Sequence, residues 1–276
     1  MFLGFDRSGY PGDEVMQSLW DSVPDLTFVC LYFAPAPSHS NRAWMDAASS
    51  LRSMGWGLVP TYVGQQVIGV GSHVVTADQG KIDAQGAAAL AGNAGLDAGS
   101  VIYLDIENGG LMPANQVAYV TSWIGEVNAN TDHWAGVYCS HFKTAKQVAD
   151  AAAGVTDHDV ATWAYRPIDS GPSVIDLGAE QPRDPAGSGY APAIVWQYRM
   201  SLNGSVDLTW TDQATGASKR LNQVDLDTAS VQDPSNPDAP AQVQRSAARG
   251  SVPAIRQQPR LTMLRTAMRH FRRMGR

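Results

Sequence analysis

Apolar runs rich in Val, Ile and Tyr recur along the chain at 2–6, 26–33, 56–63, 101–107, 134–140, 159–165 and 193–198, with a weaker run at 222–227. Each has the length of a strand. Between the first five lie stretches of helical periodicity at 12–21, 41–54, 78–94 and 113–129, and another follows at 143–153. Strands that alternate with helices pair in parallel, because a parallel connection needs a crossover and a helix supplies it. After Tyr165 the helical pattern gives way to Pro, Gly, Asp and Ser, so irregular or hairpin connections are expected between the last three strands. Eight strands and five helices predict an α/β fold over residues 1–231. Its form is an irregular TIM-like (β/α) barrel, with five β/α units followed by three strands.

From Gln232 to Arg260 the chain is polar and Pro-rich, which reads as a linker. Residues 261–276 then regain a helical pattern. Leu261, Leu264, Met268 and Phe271 fall on one face, and Arg265, Arg269, Arg272, Arg273 and Arg276 gather on the other. This basic amphipathic tail suits an anionic surface or another protein, and docking of its apolar face on the barrel or on a neighbouring subunit is the competing expectation. The overall charge of −6 conceals the contrast, since residues 239–276 hold nine Arg and no acid. The remaining 11 Lys and Arg face all 26 acids in residues 1–238, a formal −15 that argues against nucleic acid as a ligand of the body.

The run "VIYLDIENGG" (101–110) ends an apolar strand on two acids. Side chains alternate across a strand, so Val101, Tyr103, Asp105 and Glu107 share one face, the two carboxyls ~7 Å apart along it. Taking such a pair out of water is costly, and acids at the C-terminal ends of barrel strands read as catalytic. Asp6, Asp225 and Asp227 close other strands at that end, as do the aromatics. Carboxylates ringed by aromatics suit a sugar, because ring faces stack on pyranose CH groups and two acids serve glycosidic cleavage. Glu107, Asp105, Asp6 and Asp225 are the candidate catalytic residues. Tyr32, Tyr62, Tyr138, Trp163, Tyr165, Trp196, Gln197 and Tyr198 are the candidate substrate contacts.

Phosphate-loop, zinc-spacing and nucleophile-elbow motifs are absent, "TDHD" (156–159) reads as a solvated loop, and no cofactor or metal is implied. Cys30 and Cys139 lie in apolar runs and read as unpaired core thiols. No apolar run is long enough to span a membrane, and the N-terminus lacks a signal-peptide layout.

Taken in order, "GFDRSGYPG", "LVPTYVGQQ", "VIYLDIE", "GVYCS" and "VWQY" resemble the bacterial glycoside-hydrolase-like family related to the glycoside hydrolase family 25 lysozymes, over about residues 1–230. The resemblance implies a TIM-like barrel that acts on peptidoglycan. It places Asp6 as the first-strand acid, Asp105 and Glu107 as the Asp-x-Glu pair with Glu107 the proton donor, and Asp225 as the late-strand acid. "DRSGYPG" and "PTYVGQQ" depart from the family 25 pattern, in loops that shape a cleft. The expected function is therefore a muramidase-like glycoside hydrolase at the cell envelope. Glu107 would be kept protonated by partial burial and by the like charge of Asp105. A non-catalytic glycan-binding barrel, or an envelope adaptor working through its basic tail, is the alternative.

Overall fold

The structure, a computed structural model, describes residues 1–168, 173–200 and 206–238. The first five β/α units run as expected. They are β1 (Phe2–Asp6) with α1 (Asp13–Ser22), β2 (Leu26–Tyr32) with α2 (Ala43–Asp46) and α3 (Ala48–Met54), β3 (Gly57–Val63) with α4 (Ala77–Asn93), β4 (Val101–Ile106) with α5 (Ala114–Asn130), and β5 (Trp134–Cys139) with α6 (Phe142–Ala152). Then come β6 (Ala161–Tyr165), β7 (Val174–Asp176), β8 (Val195–Arg199), β9 (Val206–Thr211) and β10 (Ser218–Ala229). Eight of these close an irregular TIM-like barrel in the order β1, β2, β3, β4, β5, β6, β8, β10, and β10 returns to β1.

One barrel strand breaks the parallel rule. β10 runs antiparallel to both β1 and β8, because the β9–β10 hairpin delivers it from the opposite direction. The hairpin's outer part and the short β7, neither marked by an apolar run of its own, extend the sheet beyond the barrel. Reversal decides where the late acids lie. In register with β1, Asp225 stands opposite Asp6 at the mouth, while Asp227 stands opposite Gly4, two residues deeper.

Alternation sorts the core into two layers. Phe28, Cys30, Val59, Val101, Tyr103, Trp163, Val195 and Ala229 fill the barrel interior. Val29, Leu31, Leu104, Tyr119, Trp123 and Ile124 belong to the outer layer of strands and helices. Each fully buried Leu, Phe or Val contributes about 1.5–3 kcal/mol. Both cysteines are buried and unpaired, as the apolar runs around them implied.

The floor of the barrel comes from residues that the composition assigned to the linker. Asp233 Oδ1 accepts from Leu58 N at 3.0 Å, Tyr103 Oη donates to Pro234 O at 2.9 Å, and Val101 N donates to Ser235 O at 2.7 Å. A Cβ at Gly57 would collide with the backbone of Gln232 and Asp233, so glycine is needed where the segment crosses β3. The structural unit therefore extends past residue 231. The rest of the expected linker, and the basic helix, lie outside the described residues. A chain ended at Val231 should lose several degrees of Tm, since each lost buried hydrogen bond costs about 1 kcal/mol and that is roughly 2–4 °C in a domain of this size. A chain ended at Asp238 should melt within roughly 2 °C of the full-length protein. Thermal unfolding of the two truncations, side by side, checks this.

Candidate functional site

At the C-terminal end of the parallel strands a cleft of about 600 Å³ opens. Asp6, Asp105, Glu107 and Asp225 all line it, together with Tyr32, Tyr138, Trp163, Tyr165 and Gln197. Three expected contacts do not. Tyr62, Trp196 and Tyr198 belong to the outer layer, because their neighbours Thr61 and Gln197 occupy the inward phase of β3 and β8. Trp196 Nε1 donates to Arg166 O at 2.8 Å, Tyr198 Oη donates to Glu180 at 3.2 Å, and Tyr62 interacts with Asp83 of α4. Arg7, Ser8, Gly109, Ser140, Met200 and Gln223 also line the cleft, and no periodic signal marked them. Gln223 lies in a bulge of β10 with a φ of 58°, a backbone feature that strand alternation does not encode.

The acids are woven together by a few donors. Gln197 Nε2 reaches Asp6 at 2.8 Å and Asp225 at 3.3 Å, while its Oε1 accepts from Tyr138 Oη at 2.7 Å. Its carboxamide is thus committed to aligning carboxyls across two strands. Tyr32 Oη donates to Asp6 at 3.1 Å, and Trp163 Nε1 donates to Asp227 at 3.0 Å. The Tyr138 and Trp163 rings pack edge to face at 4.7 Å and hold that wall rigid.

Two further interactions link acid to acid. Beyond burial, Glu107 raises the proton affinity of Asp105, and Asp6 raises that of Asp227. Like charges withdrawn from water oppose ionising both members, so each pair favours keeping a proton. Burial, first, and then the charges of Glu107 and Asp6 hold Asp105 well above the usual carboxylate range. Burial and Asp225 push Asp6 up against the pull of Gln197 and Tyr32, and burial with Asp6 does the same to Asp227, which is only 1% exposed.

Glu107 differs from the expectation in two ways. It stands open to the cleft rather than sheltered, although the surrounding walls remove enough water to raise its proton affinity. The like charge that adds to this comes from Asp225, whereas Asp105 acts in the opposite direction. Burial thus favours the protonated form more strongly at the deeper Asp105, and Glu107 stands at the surface that a ligand would meet.

Residues 20–229 match the family described as Rv2525c-like, glycoside hydrolase-like domain. The chain belongs to this family. The matched stretch holds Asp105, Glu107 and Asp225 and begins after Asp6. Among solved structures, an uncharacterized protein of B. stearothermophilus is similar at 18% identity and a TM-score of 0.52, with 83% of this chain and 96% of that one covered. That likeness bears on the fold. The Tat-secreted protein Rv2525c of Mycobacterium tuberculosis is similar at 15% identity, with a TM-score of 0.49 and coverage of 86% and 96%. A lysozyme of Streptomyces coelicolor also gives 15% identity, with a TM-score of 0.48 and coverage of 86% and 98%. No curated protein matches the chain.

The raised proton affinity of Asp105 has a consequence for stability. The fold binds that proton more tightly than the unfolded chain does, so the contribution is whole below the ordinary carboxylate range near ~4 and is lost as pH climbs toward the raised value. Asp105→Asn removes the ionisation and keeps the shape. Its Tm should match wild type at pH 4 and exceed it by roughly 3 °C or more at pH 8. A pH series of thermal melts on both proteins checks the sign.

Proposed function

We propose that this chain is a glycoside hydrolase acting on bacterial cell-wall glycan by carboxyl acid/base catalysis. One observation carries the reading: Glu107 faces an aromatic-walled cleft beside a buried Asp105 whose proton affinity is raised by burial and by Glu107. Membership of a glycoside hydrolase-like family supports the reaction class.

Substrate binding displaces water from the cleft, and the pair's proton passes from Asp105 to Glu107. Glu107 gives it to the glycosidic oxygen as the bond from the anomeric carbon to that oxygen breaks with its electrons. Both members of the pair are then anions, and with Asp225 nearby they stabilise the positive charge that develops on the sugar. Water adds to the anomeric carbon, and its proton returns to the pair. Asp105 and Glu107 leave the end of one strand, so they approach a sugar from one side of the cleft rather than flanking it. Asp105 and Glu107 therefore act as one proton-handling unit. The group on the far side is Asp225 or Asp6, or the substrate's own acetamide. Tyr32, Tyr138, Trp163 and Tyr165 supply ring faces and hydroxyls for the sugar.

A reducing-end assay on purified peptidoglycan, with chitin oligomers alongside, tests the proposal. Wild type should release reducing ends, and Glu107→Gln should lose at least about 100-fold in kcat while glycan binding and Tm stay near wild type. Glycan binding without cleavage by wild type would give the case to a binding barrel, and an unimpaired Glu107→Gln would remove that residue from the mechanism.

A further inference from the structure

β3 and β4 pair in parallel, with Val63 opposite Asp105. Continued one step, the register would bring Gly64 opposite Ile106. In a parallel ladder the residue facing position i donates to the carbonyl of i−1 and accepts from the N–H of i+1, so the Gly64 peptide would bond Asp105 O and Glu107 N. The chain does not continue. It turns at Gly64, whose carbonyl accepts from Ser38 Oγ at 2.8 Å, and a Cβ there would collide with Tyr119 Oη. The last backbone groups of β4 on that side would be left buried and unpaired, at the point where the strand delivers its acids.

A side chain completes the ladder. Gln66 Nε2 donates to Asp105 O at 2.8 Å, and Gln66 Oε1 accepts from Glu107 N at 3.1 Å. This is the bonding of the missing Gly64 peptide, reproduced by a carboxamide two residues further on. Gln66 is itself held. It is 3% exposed, its N–H donates to Ser72 O at 2.9 Å, and its carbonyl accepts from His73 Nδ1 at 2.6 Å. The adjacent Gln65, equally buried, points elsewhere: its side chain bonds Asp83 of α4 at 3.2 Å and Val74 N at 2.9 Å.

We propose that Gln66 is a positioning residue for Glu107, a side-chain substitute for one strand peptide that fixes the backbone on both sides of Ile106 and so sets where the Glu107 carboxyl meets Asp105 and the cleft. Its kinetic consequence rests on the glycosidase reading above, and its structural consequence does not. Both "GQQ" glutamines hold the β3–α4 loop, but only Gln66 reaches the acid pair.

The test compares Gln66→Met, Gln65→Met and Gln66→Glu in the full chain. By NMR hydrogen exchange, the Glu107 amide should exchange at least about 10-fold faster in Gln66→Met than in Gln65→Met, after correction for any difference in global stability. On peptidoglycan, Gln66→Met should lose about 10–100-fold in kcat with KM changed less than about 3-fold and with a displaced alkaline limb. Gln65→Met should keep the wild-type limb. Gln66→Glu keeps the acceptor and regains the donor once protonated, so its activity relative to wild type should climb as pH falls from about 8 to about 5. Equal Glu107 exchange in the two Met variants overturns the assignment, as does a pH profile in Gln66→Met that matches Gln65→Met. If Gln66→Met does not fold, a flat ratio of Gln66→Glu to wild-type activity overturns it. If wild type cleaves no glycan, the glycosidase reading fails and the exchange comparison still decides the role of Gln66, with Gln66→Glu serving should Gln66→Met not fold.

Discussion

The crowding of acids withdrawn from water, Asp105 beside Glu107 and Asp6 beside Asp227, is the constraint around which the mouth of the barrel is organised. Each pair favours keeping a proton, because the acids are withdrawn from water and their charges repel one another. Among the described residues Arg7 is the cation lining the cleft, and it forms no ion pair with these acids. Neutral donors do the stabilising instead: Gln197, Tyr32 and Trp163 hold oxygens in place without supplying charge. A cluster held this way keeps exchangeable protons within reach of a ligand.

The barrel's irregularities serve that cluster. An antiparallel last strand places Asp225 opposite Asp6 at the mouth and sinks Asp227 beneath it, an arrangement that a parallel strand entering from below would not give with the same residues. Beside β4, β3 stops early and leaves Gln66 to finish the pairing. Below, Asp233 to Ser235 seal the barrel under Tyr103, so the polar mouth sits above a closed apolar interior.

What could be read from the residues follows from which signals are periodic. The alternation in "VIYLDIE" placed Asp105 and Glu107 on one face, and β4 has that arrangement, with Val101 and Tyr103 inside the barrel beneath them. The same alternation in "VWQY" sends Gln197 inward and Trp196 and Tyr198 outward, so strand phase outweighs aromatic character in deciding which of them reach the cleft. The direction of β10 was not legible, because an apolar run does not encode whether a hairpin or a crossover precedes it. The floor was hidden by composition, since "QDPSNPD" looks like linker wherever it lies and becomes structure only because Gly57 lets it approach. Gln66 left no periodic trace, because its role depends on a strand ending three residues before it.

Site-resolved ¹³C NMR titration of the carboxyl carbons of Asp6, Asp105, Glu107 and Asp227 tests the proton-sharing account directly. It predicts that at pH 7 one member of each pair still carries a proton, with Asp105 holding it against Glu107. If all four groups titrate completely near the ordinary value of about 4, no proton is shared, and the account of the site is contradicted.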